Sequence, residues 1–330
     1  MAEELSLARI EAATRLIDPQ FRNTPQFVDP QLSDALGRQV VVKVEVANPL
    51  GSFKGRGADF FLRELGPGRR LVCATGGNFG QALAYVGRRH GFPVDVFVPA
   101  GLDPGKLARI RALADAVAVI EGDEHETIDA ARAHAAGDEA RLFVEDGREA
   151  AIAEGAGTIG VELLAAAPID TVVVQVGDGA MIGGIARWIK EHSPETRVVG
   201  VCPSGSPAMA LSWREGRPVT TPSADTIASA LANRNPIPES VARIGPLVDD
   251  FLLVDDADMI EAMRIVADAL GTLLEPAGAA GVAAILRHEI EGERLGVLLT
   301  GHGLPAALRS AVLGPDRQTL LNLGKKATRL

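Results

Sequence analysis

Several residue types are scarce in this chain of 330 residues. Aromatic residues make up 4% of the chain, there are two cysteines, and lysine occurs only at positions 43, 54, 106, 190, 325 and 326. With so few aromatics, the core must be filled mainly by Ala, Val, Leu and Ile. Cys73 and Cys202 each end an apolar run, so we expect reduced core residues of a cytoplasmic protein and neither a disulfide nor a metal site.

Long apolar runs and a basic surface are also missing. No stretch of 18 apolar residues occurs, and the first residues lack the apolar segment of a signal peptide. The formal net charge is -10, which repels nucleic acid and anionic membranes. We therefore expect no membrane span and no nucleic-acid partner. The composition, 47% hydrophobic and 23% charged, is typical of a globular protein with a large core.

Short apolar runs alternate with longer helical segments along the chain. The pattern predicts strands over 40–46, 94–98 and 171–176. It predicts helices over 57–64, 78–90, 158–166 and 182–191. Near-continuous Val, Ile and Leu in the strands is typical of parallel sheets covered by helices on both faces. The sequence therefore predicts an α/β protein, and its length favours two units, since a domain has roughly 150 residues.

Lys54 lies in a glycine-rich loop, residues 48–58, where a strand gives way to a helix. The helix dipole disfavours a cation at such a position. A desolvated, uncharged amine is the form that Schiff-base chemistry requires. A solvated surface lysine fits the same spacing, so the loop alone leaves both interpretations open.

Two further strand–helix junctions are rich in glycine. In residues 75–80 (TGGNFG), small residues allow a carboxylate to approach backbone N–H groups, and Asn78 adds a donor; an ordinary asparagine cap is the alternative. Residues 177–184 (GDGAMIGG) have the context of a phosphate cradle, with a packing turn as the alternative. Ile182 occupies the last glycine position of a dinucleotide fingerprint, so a single phosphate fits better than NAD.

Together and in this order, these loops resemble the fold type II pyridoxal-phosphate enzymes, the tryptophan synthase β-like group with threonine and serine dehydratases, serine racemase and threonine synthase. The resemblance spans about residues 20–310 and includes SFKxRGA at 52–58, GNxGQAL at 77–83, EPxGAA at 275–280 and LTGHG at 299–303. It implies two open twisted α/β domains: a large domain formed by residues 1–45 and 156–330, and a small inserted domain of residues 46–155. It also implies a homodimer.

The resemblance implies a role for each matching residue. Lys54 is the catalytic residue, which binds pyridoxal 5'-phosphate covalently and then serves as the general base. The other residues that bind the cofactor are Asn78 and Thr300 at the ring and Gly177, Asp178, Gly179, Ala180 and Met181 at the phosphate. The substrate carboxylate is bound by Thr75, Gly76, Gly77 and Asn78. Asp178 departs from the all-glycine pattern, so its carboxylate is expected to point away from the phosphate.

The implied activity is β-elimination from a small 3-hydroxy amino acid such as L-threonine or L-serine, which gives a 2-oxo acid and ammonia. The neutral hydroxyl of Thr300 does not strongly protonate a pyridine nitrogen, and this favours loss of a β-substituent over transamination. Gly76 stands where serine racemase has a second serine, so we expect no efficient racemisation. Cys202 stands where a metal-binding glutamate precedes a proline in some relatives, so we expect no metal.

Two alternatives remain at this point. Residues 226–230 and 300–303 look like threonine synthase signatures, which favours γ-replacement, although the residue after Lys54 is glycine where the synthases usually have aspartate. A replacement enzyme must also bind a phosphorylated substrate, and the sequence offers no basic cluster for it. The second alternative is a protein that binds the cofactor without turnover.

Overall fold

The computed structural model describes residues 3–75, 77–122, 124–303 and 306–314. The helices are α1 Leu7–Leu16, α2 Pro30–Leu36, α3 Lys54–Glu64, α4 Asn78–His90, α5 Pro104–Leu113, α6 Glu124–Ala136, α7 Ala150–Ala166, α8 Ala180–His192, α9 Ala208–Glu215, α10 Pro238–Ile244, α11 Asp256–Leu270, α12 Pro276–Arg287 and α13 Ala306–Leu313. Short 3-10 helices lie at Pro19–Phe21 and Ser229–Leu231.

The strands form two sheets. They are β1 Gln26–Val28, β2 Gln39–Val44, β3 Arg70–Ala74, β4 Val94–Pro99, β5 Ala116–Ile120, β6 Arg141–Phe143, β7 Thr171–Gln175, β8 Arg197–Pro203, β9 Asp250–Val254 and β10 Arg294–Leu299. The larger sheet has the order β1-β2-β10-β7-β8-β9, and the smaller has the order β5-β4-β3-β6. Only the β1–β2 pair is antiparallel among these strands. The predicted α/β class with mainly parallel sheets is confirmed.

The smaller sheet is continuous in sequence, whereas the larger one is not. All four strands of the smaller sheet lie between Arg70 and Phe143, and β1 and β2 join strands that follow residue 170. This arrangement agrees with an insertion, and the exact boundaries at residues 46 and 155 stay a prediction. Both cysteines are free and buried, and burial raises the pKa of each thiol to about 12.

Two of the helices beside the larger sheet, α7 and α8, pack against each other through close backbone contacts. On α8, a Cβ added to Gly184 would lie 1.9 Å from the carbonyl oxygen of Ala153 on α7. The apolar side chains of β7 are completely buried, as expected of a parallel strand with both faces covered. Within the described residues, no helix is long and apolar enough to cross a membrane. The tight α7–α8 packing fixes the start of α8, which borders the candidate site.

Candidate active site

Lys54 begins α3 and lies at the wall of a cleft. Its side chain is 17% exposed, and its Nζ forms an ion pair with a carboxylate oxygen of Asp146. The ring centroid of Phe53 lies 4.7 Å from Nζ. The backbone N–H of Phe53 donates to the carbonyl oxygen of Thr300 at 3.2 Å. The loop is therefore anchored to the end of β10, and the amine is surrounded by apolar rings and one carboxylate.

The turn at residues 177–182 forms an anion cradle at the start of α8. Gly179 has φ +89, a value that favours glycine, and a Cβ there would lie 2.2 Å from Ser240 Oγ. A Cβ on Gly177 would lie 2.6 Å from the carbonyl oxygen of Ala230. The first intrahelical bond runs from the Gly183 N–H to the Gly179 carbonyl at 3.0 Å, so the preceding amides of the first turn are available to an anion.

The start of α4 has the geometry of a second anion site beside the larger cleft. The helix begins at Asn78, directly after Gly77, whose N–H donates to Thr75 Oγ1 at 3.0 Å. A Cβ on Gly80 would lie 2.4 Å from Thr75 Cγ2, so the loop packs tightly against the first turn. Free amides at a helix start attract a carboxylate. Gly76, the remaining residue predicted to bind substrate, lies outside the described residues.

Thr300 directly follows β10 and lines the same space as the cradle. Its Oγ1 accepts a hydrogen bond of 2.5 Å from Gln175 Nε2, and both side chains are buried. Because the oxygen already accepts from Gln175, its own proton remains available to a neutral acceptor such as a ring nitrogen. Gln175 was not singled out from the sequence; its position at the end of β7 is the signal that could have identified it.

Glu275 and Lys106 form a buried ion pair beside Asn78. Glu275 accepts from Asn78 Nδ2 at 2.7 Å, and its other oxygen lies 3.1 Å from Lys106 Nζ. Lys106 also donates to Ser229 Oγ at 3.2 Å. The start of a helix after Pro-Gly predicts a solvated lysine at position 106, and this prediction is wrong, since the residue is 5% exposed. The lysine is buried because it neutralises Glu275.

Most of these groups line a cleft of about 450 Å³ or a smaller space next to it, and Lys106 lies behind Glu275 outside both linings. Lys54, Asn78, Gly177 and Asp178 line both of them. Gly179, Ala180, Met181 and Thr300 line only the smaller space, and Thr75 and Gly77 line only the larger one. All the described residues of the predicted site therefore lie around one continuous opening, and the roles assigned to them stay predictions.

Asp178 is the acidic exception in the cradle. Its Oδ1 accepts from Asn233 Nδ2 at 2.9 Å. Burial raises its pKa to about 6, and the negative charge of Asp146 acts in the same direction. A nearby like charge and partial desolvation both favour the protonated carboxyl. The Asp178 carboxyl group is therefore held toward Asn233, and its ionised form is destabilised.

Replacing Asp178 by asparagine is expected to change how stability depends on pH. Between about pH 4 and pH 6 the folded chain keeps a proton that the unfolded chain has lost, so the free energy of unfolding falls as the pH rises. In Asp178→Asn this decrease is absent, and at pH 8 the variant is expected to be more stable by roughly 1–3 kcal/mol. Urea unfolding of the cofactor-free proteins at pH 4 and pH 8 measures the difference. Equal pH slopes for parent and variant would contradict the assignment.

Comparison with known proteins places this site in a family. The model of the family described as "Pyridoxal-phosphate dependent enzyme" matches residues 17–301. Phenylserine dehydratase from Ralstonia pickettii is 31% identical over 300 residues, which cover 89% of this chain and 91% of that protein. Serine racemase from Oryza sativa subsp. indica is 28% identical over 304 residues, which cover 88% of this chain and 89% of that protein.

A solved structure shows the same relation. The processed form of threonine deaminase isoform 2 from Solanum lycopersicum superposes with a TM-score of 0.83 at 25% identity, and the match covers 94% of this chain and 95% of that one. The resemblance drawn from the sequence motifs is confirmed. Since the family model matches most of the chain, this protein belongs to the pyridoxal-phosphate-dependent enzyme family, and pyridoxal phosphate is its cofactor.

Proposed function

We propose that this enzyme is an ammonia-lyase that eliminates the β-substituent of a small amino acid such as L-serine or L-threonine and releases a 2-oxo acid and ammonia. One observation carries the proposal. The amine of Lys54, the start of α4 and the start of α8 border the same opening, with Lys54 and Asn78 lining both of its spaces. A base and two anion sites in one cleft suit a substrate carboxylate and a cofactor phosphate.

The residues present fit the cofactor. The cradle at 177–181, where a Cβ on Gly177 or Gly179 would clash, would hold the phosphate through backbone N–H groups. Asn78 would face the ring hydroxyl, and Thr300, oriented by Gln175, would donate to the ring nitrogen. Lys54 would hold the aldehyde carbon. When bound, pyridoxal phosphate supplies an electron sink for the pair released at Cα.

Residues of the protein would orient the substrate and transfer the Cα proton. Thr75, Gly77 and Asn78 would orient the substrate carboxylate at the start of α4 and so fix the position of Cα. The Lys54 amine, once displaced by the substrate amine, would take the Cα proton as general base. The Phe53 and Phe79 rings, 4.7 Å and 6.0 Å from Nζ, would flank that amine and limit its contact with water.

The charge of the cleft argues against γ-replacement on a phosphorylated substrate. Among the described residues that line the larger space, the carboxylates are Glu124, Glu145, Asp146 and Asp178, and the cations besides Lys54 are Arg234 and, when protonated, His125. Arg132 and Arg148 pair with Glu145 from outside this lining, so the lining has a slight excess of negative charge and no cluster of cations for a phosphate dianion. The observation favours elimination over the threonine synthase-like alternative.

A substrate panel tests the proposal. Ammonia and 2-oxo acid would be measured with L-serine, L-threonine and 3-phenylserine as substrates of the holoenzyme, with the cofactor-free protein as control. We expect equal amounts of ammonia and 2-oxo acid, and no D-serine when remaining serine is resolved by chiral chromatography. D-serine as the main product would indicate a racemase, and cofactor binding without any product would indicate a non-catalytic carrier.

A further inference from the structure

Asp146 is a buried carboxylate on the wall between the two spaces of the site. The residue is 6% exposed and borders both the smaller space and the larger cleft. One of its oxygens pairs with Lys54 Nζ. The other, Oδ1, has no hydrogen-bond partner within the described chain. A buried carboxylate oxygen without a partner is costly unless a ligand supplies a donor.

Asp178 adds a second carboxylate to the same wall. The Asn233 amide donates to it at 2.9 Å, and the charges of Asp146 and Asp178 act on each other. A Cβ on Gly147, the residue after Asp146, would lie 2.6 Å from the carbonyl oxygen of Asp178 and 3.0 Å from its Cβ. The chain thus packs the two acidic residues against each other beside the catalytic amine.

Three cations around the site pair with other acids. Arg132 and Arg148 lie 3.0 Å and 2.7 Å from Glu145, and Lys106 lies 3.1 Å from Glu275. Among the described residues, Lys54 is the one cation that pairs with Asp146. A lysine that acts as a base must be uncharged when it takes the Cα proton. At that moment Asp146 has lost the one cation that pairs with it among the described residues.

We propose that the substrate supplies this cation: the site selects amino acids that carry an ammonium group on Cβ. The inference rests on the proposed elimination at Lys54 and changes only the leaving group. Lys54 takes the Cα proton, the electron pair forms the Cα–Cβ double bond, and the Cβ–N bond breaks. The bonding pair goes to nitrogen, so the protonated amine leaves as neutral ammonia. Hydrolysis by one water then gives the 2-oxo acid and a second ammonia.

The carboxylates have a chemical reason to stand at the leaving group. Nitrogen departs from carbon as ammonia only if it is protonated first, and a neighbouring carboxylate favours the ammonium form. An ionised carboxylate gives no such help to a departing hydroxyl, which needs a proton from elsewhere. The acidic wall therefore discriminates between β-amino and β-hydroxy amino acids in favour of the former.

The test compares two substrates of one holoenzyme. L-2,3-diaminopropionate is expected to exceed L-serine in kcat/KM at pH 8 by at least tenfold. Asp146→Asn is expected to remove this preference, whereas Asp146→Glu keeps it in large part. Glu145→Gln is the matched control, because Glu145 lines the same cleft but is already paired with two arginines; its ratio should change less than twofold.

A binding measurement separates recognition from turnover. L-2,4-diaminobutyrate has a cationic side chain but no leaving group on Cβ, and its Kd is read from the absorbance of the bound cofactor. We expect Asp146→Asn to weaken it at least tenfold and to leave the Kd of L-alanine within twofold. Turnover of serine without preference for either diamino acid would overturn this inference and leave the lyase proposal standing. Failure of every substrate and of L-alanine binding would reject the lyase proposal itself.

Discussion

Replacing Lys54 by alanine is expected to abolish turnover, with a loss of kcat of roughly 10²- to 10⁴-fold from proton transfer alone. Lys54 is the first residue of α3, and its Nζ lies near two aromatic rings and pairs with Asp146. Among the described residues, no other lysine lines either space of the site. Initial rates of ammonia release from the best substrate measure the effect.

Lys190→Ala is the matched control for this experiment. Lys190 lies near the end of α8, where it pairs with Asp249 at 2.6 Å, and it lines neither space. The control is expected to keep the parent rate. A Lys54→Ala protein that retains full turnover would reject both the assignment of the base and the elimination proposed from it.

Arg56→Met is expected to lower the free energy of unfolding by about 3–5 kcal/mol, the usual cost of breaking a buried ion pair. The Arg56 side chain is 1% exposed and binds Glu45, which is completely buried, at 2.8 Å, and Glu162 at 2.6 Å. Methionine has a similar length but no charge, so the variant leaves Glu45 buried without its cation. Urea or guanidinium unfolding at pH 7 measures the loss.

An exposed arginine provides the comparison. Arg15 pairs with Glu11 at 3.3 Å, and its side chain is 70% exposed, so Arg15→Met is expected to cost less than about 1 kcal/mol. If the two variants lose equal stability, the buried network does not hold the fold together as described.

In the same network, burial alone would raise the pKa of Glu162, but Arg56 and Lys43 outweigh it and lower the pKa to about 2. This contribution to stability is present above about pH 4.5 and is lost as the pH falls toward 2.

The sequence motifs predicted the centre of the site better than its surroundings. Lys54, Asn78, the 177–181 turn and Thr300 each lie at the junction of a strand and a helix or loop, where local pattern is informative. The motifs did not identify Asp146 or Gln175, and they did not predict that Lys106 is buried. Asp146 pairs with Lys54, Gln175 with Thr300 and Lys106 with Glu275, and each partner is far away in the sequence. The spacing of residues within a motif does not predict such contacts.

The predicted start of two helices is wrong, because glycine residues lie near the start of each. The sequence predicts helices from residue 57 and from residue 158, yet α3 begins at Lys54 and α7 at Ala150. Glycine lowers helix propensity, but here it serves packing: a Cβ on Gly55 would lie 2.5 Å from the Phe21 ring, and one on Gly155 would lie 2.7 Å from the Arg56 carbonyl oxygen. Tertiary contact outweighs local propensity at both helices.

The ion pair between Lys106 and Glu275 connects two different sheets. Lys106 is on α5, which contacts β5 of the smaller sheet, and Glu275 precedes α12, which packs on the larger sheet. To widen the passage between the sheets, the molecule has to part this buried pair, and two charges must then be hydrated. Glu275 also accepts a hydrogen bond from Asn78, so a movement that separates the pair would also disturb the side chain proposed to face the cofactor ring.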